Sequence, residues 1–163
     1  MLLGMGALNY LTALAVCATL VGCGQRSQSW YATPEVRDEA RAAFAQVCAD
    51  LGECIPESAD ADDAGILVSV GTPDHDGAEG QHQVVDGVHE IRVNPATHGP
   101  VLRNVLLHEV GHAIGLGHDL SDAPAVMQPG VDAAHPEYAY LAYTCADRRQ
   151  YAALRGLPTP DCT

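Results

Sequence analysis

Positive charge is scarce in this chain. Lys and Arg together number 8 against 21 Asp and Glu, for a formal net charge of −13. That balance excludes the clustered basic surface on which nucleic-acid binding depends. Aromatic residues are also few, with one Trp, one Phe and six Tyr, so the core is built from Ala, Val, Leu and Ile. No C-x-x-C pair occurs, which argues against a cysteine-ligated zinc module. No internal repeat or low-complexity tract is present. Beyond the N-terminal residues no segment is apolar enough to cross a bilayer.

The N-terminal residues have a character of their own. Residues 1–22 carry no charged side chain and include an apolar stretch from about Leu11 to Val21. That is too short to span a membrane and suits the hydrophobic region of a signal peptide, although the usual positive start is missing. Leu20-Val21-Gly22-Cys23 resembles a bacterial lipobox, in which the cysteine becomes the lipid-modified N-terminus. The expected organisation is a lipoprotein-type signal peptide at 1–22, a tether at 23–34 and a single domain at 35–163. Plain secretion, with Cys23 incidental, is the alternative, and a transmembrane anchor is a third. About 141 residues would remain after cleavage, enough to bury ~68% of the unfolded surface. Cys48, Cys54, Cys145 and Cys162 then suggest two disulfides in an exported domain. Three connectivities are open, and the local pairs Cys48–Cys54 and Cys145–Cys162 are favoured.

Residues 108–119 read H-E-V-G-H-A-I-G-L-G-H-D. His108 and His112 are four apart and share one face of a helix, where two imidazoles can hold one Zn²⁺ at ~2.0–2.1 Å each. Glu109 follows the first of them, in the general-base position of H-E-x-x-H hydrolases. Gly115 can take a positive φ, end the helix and turn the chain so that His118 becomes a third ligand. Three protein ligands with one open position describe a catalytic zinc site.

The pattern H-E-x-x-H-x-x-G-x-x-H, followed by Met127 nine residues after His118, resembles the metzincin metalloproteases. Leu106 to His118 is most similar to small bacterial proteases of the matrixin type, and Ala125-Val126-Met127-Gln128-Pro129 resembles their Met-turn. Asp119 is more like the adamalysin branch, with an orienting rather than a reacting role. The tyrosine that some metzincins place after the methionine is absent here. Val131 also stands where the matrixin Pro-x-Tyr has its tyrosine. The resemblance implies an α+β zincin domain: a small twisted mixed sheet packed on an N-terminal helix and a central zinc-binding helix. An irregular C-terminal part carries Met127 beneath the histidines, and a final helix closes the domain. It further implies a zinc-dependent endopeptidase with one catalytic Zn²⁺ and Glu109 as base, acting on protein or peptide substrates, most simply as a monomer. Two alternatives stand beside it: a lipid-anchored zinc-containing binding protein without activity, and a zinc hydrolase of cell-wall peptides.

Local signals give the elements. Thr33-Pro34-Glu35 reads as a helix start, with Val36, Ala40, Ala43, Phe44 and Val47 at helical spacing to about Ala49. Residues 66–70 form a short buried strand. Val84 to Val93 reads as one or two strands with a hairpin turn at Asp86-Gly87. In metzincins the strand before the zinc helix is the edge that pairs with substrate, which assigns that role to 88–93. The zinc helix is expected from Pro100 to about Ile114. Thr144 caps a last helix from Cys145 to about Arg155, with Tyr151 and Leu154 turned inward. His75, His82 and His89, with Asp74, Asp76 and Asp86, form either a solvated polar loop or a site for a second Zn²⁺ or Ca²⁺. The acidic balance itself means solubility, attraction of cationic peptides or oxygen ligands for Ca²⁺. His98 and His135 read as surface histidines.

Overall fold

The computed structural model describes residues 27–75, 77–120, 125–129 and 141–162. The signal-peptide stretch, Cys23, Asp76, Val131 and His135 lie outside the described residues. Seven elements follow in the order β1 (Ser27–Ala32), α1 (Arg37–Leu51), β2 (Ala64–Val70), β3 (Gly80–Val85), β4 (Val88–Val93), α2 (Gly99–Ala113) and α3 (Cys145–Arg155).

The four strands form one mixed sheet in the order β1-β2-β4-β3. β1, β2 and β4 run parallel, and β3 is antiparallel to β4. Ile66 and Val68 on β2 and Ile91 and Val93 on β4 are buried on one face, at the alternate positions that a period of two requires. Against that face α1 lays Ala40, Ala43, Phe44 and Val47, spaced i, i+3, i+4, i+7. Phe44 stacks on Trp30 of β1 with ring centroids 4.7 Å apart. α2 is buried on most of its circumference, from Val101 to Gly111. It therefore runs through the middle of the domain rather than along its surface.

Two expectations about the strands are corrected by this sheet. Residues 27–32, read as part of a tether, form β1. Trp30 is 2% exposed, and β1 pairs with β2 through Trp30↔Ile66 and Ala32↔Val68. The polar flank Gln25 to Ser29 conceals a strand whose apolar anchors are Trp30 and Ala32. The second correction concerns the sheet edge. β4 (Val88–Val93) is interior and β3 is the edge strand. Asp86 and Gly87, at φ 50° and 80°, make a two-residue turn that folds β3 back outside β4. Side-chain character agrees. Ile91 and Val93 are 0% and 1% exposed, as an interior strand needs, whereas Val84 at the outer end of β3 is 57% exposed.

α1 begins at Arg37, after a turn over residues 34–36, and ends at Gly52 in the left-handed conformation. α3 occupies Cys145–Arg155, with a capping box between Thr144 and Asp147 and Gly156 as its left-handed end. On α3, Tyr151 is buried but Leu154 is 51% exposed, so Leu154 is not part of the inward stripe. The helix packs through its first two turns, by Asp147, Tyr151 and Ala152. Cys48 is bonded to Cys54 and Cys145 to Cys162. Among the described residues no helix is long and apolar enough to cross a membrane.

Candidate metal centre

His108 and His112 stand one turn apart near the C-terminal end of α2. The helix stops just beyond them. Gly115 takes φ 97°, its N–H donates to His112 O, and the Leu116 N–H donates to Gly111 O. A side chain at Gly115 would be strained, and the reversal it permits carries His118 back over the helix end.

The three Nε2 atoms converge. They are separated by 3.1 Å (His108–His112), 3.2 Å (His112–His118) and 3.3 Å (His108–His118). The outer nitrogens are already used. His108 Nδ1 lies 2.8 Å from Val126 O and His112 Nδ1 lies 2.9 Å from Leu116 O. A carbonyl can only accept, so both Nδ1 atoms carry the hydrogen and both Nε2 atoms present bare lone pairs. Two acceptors 3.1 Å apart repel unless a cation lies between them. Burial also holds His108 down at about 4 and lowers His112, so both imidazoles are neutral, as ligands must be. Ligands at ~2.0–2.1 Å in tetrahedral array stand ~3.3 Å apart. The donor set therefore fits a zinc ion. Among the described residues it is the only convergent group of three or more His, Cys, Asp or Glu side chains.

Beside the triad, Glu109 is 7% exposed on the wall of a cleft of about 370 Å³. The opposite wall is β3. The two walls touch at Gly80, where a Cβ would lie 2.4 Å from Val105 Cγ1 and 3.0 Å from Glu109 Oε1. Only glycine lets the edge strand approach this closely. Burial pushes the Glu109 carboxyl up to about 7, within the range useful to a proton acceptor and donor at neutral pH.

Met127 is fully buried beneath the helix. Its Sδ lies 2.3 Å from where a Gly111 Cβ would stand, so the second x of H-E-x-x-H must be glycine for the methionine to sit there. The Asp119 N–H donates to Met127 O at 2.8 Å, tying the third histidine's loop to the same segment. Sequence reasoning missed Asp147. Its carboxylate is 1% exposed and accepts the N–H groups of Val126 (2.9 Å) and Met127 (3.0 Å) as well as capping α3. Thr144-x-x-Asp147 was a visible cap, but nothing local announces donors 20 and 21 residues away.

The sequence model of the Matrixin peptidase family matches residues 57–147, more than half of the chain. The chain is a matrixin. None of the curated proteins compared with it matches. Matrixins are zinc-dependent peptidases of proteins or peptides, and that general class is carried by this chain.

Among the described residues, the other polar candidates of this matrixin form no second convergent group of three or more ligand side chains. Asp74 turns to the outer face of the sheet, where it takes hydrogen bonds from Gln81 (3.1 Å) and Arg92 (3.2 Å). His82 shares the α2-facing side of β3 with Gly80 and meets His89 at 2.9 Å between ring nitrogens. The His82 ring also stacks 6.0 Å from that of His112. His75 lines the cleft separately, and His98 is an exposed residue preceding α2. Asp86 sits in the hairpin turn.

Proposed function

We propose that this matrixin is a zinc-dependent endopeptidase, with His108, His112 and His118 as ligands and Glu109 as general base. The observation that carries the reading is the convergence of three Nε2 atoms next to a buried carboxyl on one wall of a cleft. When bound, zinc supplies Lewis acidity that activates water near neutral pH and stabilises negative charge on a carbonyl oxygen. The protein's own residues do the rest. Glu109 Oε takes the proton as water attacks the peptide carbonyl, then hands it to the leaving amine. A carboxyl at about 7 is suited to both halves of that transfer. At the edge of the sheet among the described residues, β3 offers backbone N–H and C=O groups to an extended peptide, which gives affinity with little dependence on sequence. In this reading residues 125–129 are the Met-turn, with Met127 as packing beneath the ligands.

Residues 1–22 are proposed as a lipoprotein signal peptide, with lipid attached at Cys23 and the protein anchored at a membrane after export. Two disulfides suit such a destination. Mass spectrometry of the mature N-terminus tests this, and an unmodified Cys23 would refute it.

The test of the enzymatic reading is Glu109→Gln, assayed by digestion of casein and a peptide library with and without chelator. The variant is expected to keep one zinc per chain and lose turnover. Undiminished cleavage would remove Glu109 as the base. Tight zinc binding without any cleavage by the native chain would favour a binding protein.

A further inference from the structure

The hydrogen bonds around the first histidine form a closed circuit. His108 Nδ1–H donates to Val126 O, and the Val126 N–H donates to Asp147. Asp147 also accepts the N–H and hydroxyl of Thr144 at 2.8 and 2.9 Å. The next residue back, Tyr143, returns to the metal helix: its phenol donates at 2.6 Å to the carbonyl of Leu107, the neighbour of His108. The same phenol oxygen lies 3.4 Å from the position of a Gly111 Cβ, beside Met127 Sδ. Tyr143 therefore sits directly under the turn that bears His108 and His112, and it is 2% exposed.

Tyr143 is itself held at both ends of its backbone. Its N–H donates to Asp50 at 2.8 Å, and its carbonyl accepts from Arg148 Nε at 3.2 Å. Arg148 then reaches Asp50 at 3.2 Å. Asp50 lies on α1, 93 residues away in sequence. The bond to Leu107 is not needed to satisfy that carbonyl, because Leu107 and Gly111 are four apart in α2 and the intrahelical bond already uses it. A buried phenol spent on a carbonyl that already has a partner is a strut, and its point of contact is one residue from a ligand.

We propose that Tyr143 is a positioning residue for the metal centre, and that Asp50 acts through it. Together they set the position of the α2 turn relative to the segment that fixes the His108 imidazole. The inference rests on the reading of the triad as a metal site. Groups that orient ligands from behind typically change metal affinity 10–100-fold when removed.

The experiment uses the full chain as Tyr143→Phe, Asp50→Asn and the double variant. Three quantities are read: zinc affinity by chelator competition, the visible spectrum of the cobalt-substituted protein, and thermal unfolding of the metal-free protein. Tyr143→Phe is expected to weaken zinc on the order of 10-fold and shift the cobalt bands, with little change in the metal-free melt, since it leaves no buried carbonyl without a partner. Asp50→Asn should move affinity and spectrum the same way. The double variant should fall short of the sum, as residues in one network do. Should Tyr143→Phe fail to fold, Asp50→Asn carries the same readouts. Native zinc affinity and an unshifted spectrum in a folded variant would overturn the proposal while leaving the metal site intact. A native chain that takes up no divalent metal would overturn both.

Discussion

Replacing Asp147 by Asn tests how much of the fold depends on one buried carboxylate. Four donors point at it: the N–H groups of Val126, Met127 and Thr144, and the Thr144 hydroxyl, at 2.8–3.0 Å. Three of them meet Oδ2 and one meets Oδ1, so the better orientation of Asn turns its amide nitrogen toward the Met127 N–H. That leaves one buried donor facing another donor, at a cost of about 1–3 kcal/mol. The other three bonds fall from charge-assisted to neutral strength, about 1 kcal/mol each, and less for the partly buried Thr144. The total is on the order of 4 kcal/mol, a large fraction of the ~5–15 kcal/mol that holds a domain together. At roughly 2–4 °C per kcal/mol for a chain of this size, the melting temperature should fall by roughly 8–16 °C. The assay is far-UV circular dichroism of metal-free native and variant protein in the same chelator, so that metal linkage does not enter. A drop below about 3 °C would refute the reasoning, because the four bonds would then be worth far less than their burial implies.

Gly80→Ala should leave zinc content unchanged but lower kcat by roughly 10–100-fold. The new Cβ would press on the stiff Val105 and on Glu109, and an ångström of displacement can cost that much; a variant as active as the native chain would show that β3 does not set the position of Glu109. The metal-free chain should lose stability as pH falls. Burial holds His82 and His108 at about 4 against an ordinary 6.5 and lowers His89 and His112, so the unfolded chain binds their protons first and stability is lost from about 6.5 down toward 4. Glu109, raised to about 7 from 4.5, opposes this by taking up its proton in the folded state between those values, but one carboxyl stands against four histidines. A urea midpoint at pH 5 equal to or above that at pH 7.5 would contradict the balance, and Glu109→Gln should steepen the loss.

What was legible in the sequence of this matrixin was local. Thr144 and the helical run after it marked α3 from Cys145 to Arg155 correctly, because capping is decided within a turn. Asp86-Gly87 marked the hairpin for the same reason. Gly115 and the histidine spacing predicted a reversal that the φ of 97° displays. What failed depended on distant partners. β1 was hidden because Trp30 and Ala32 follow a polar flank and become strand residues only by pairing with Ile66 and Val68. The edge was misassigned because strand order is set by the parallel pairing of β4 with β2, which the hairpin alone does not reveal. Asp147, Tyr143 and Gly80 matter through contacts across the fold, and each is unremarkable in its own stretch of sequence.

The central claim, that three imidazoles hold one metal with a position open to solvent, is tested most directly by X-ray absorption at the zinc edge on the purified protein. The account predicts one zinc per chain, three imidazole nitrogens at ~2.0–2.1 Å and a fourth, oxygen ligand from solvent, with one imidazole lost in His118→Ala. A zinc shell containing sulfur, or one that His118→Ala leaves unchanged, would contradict it.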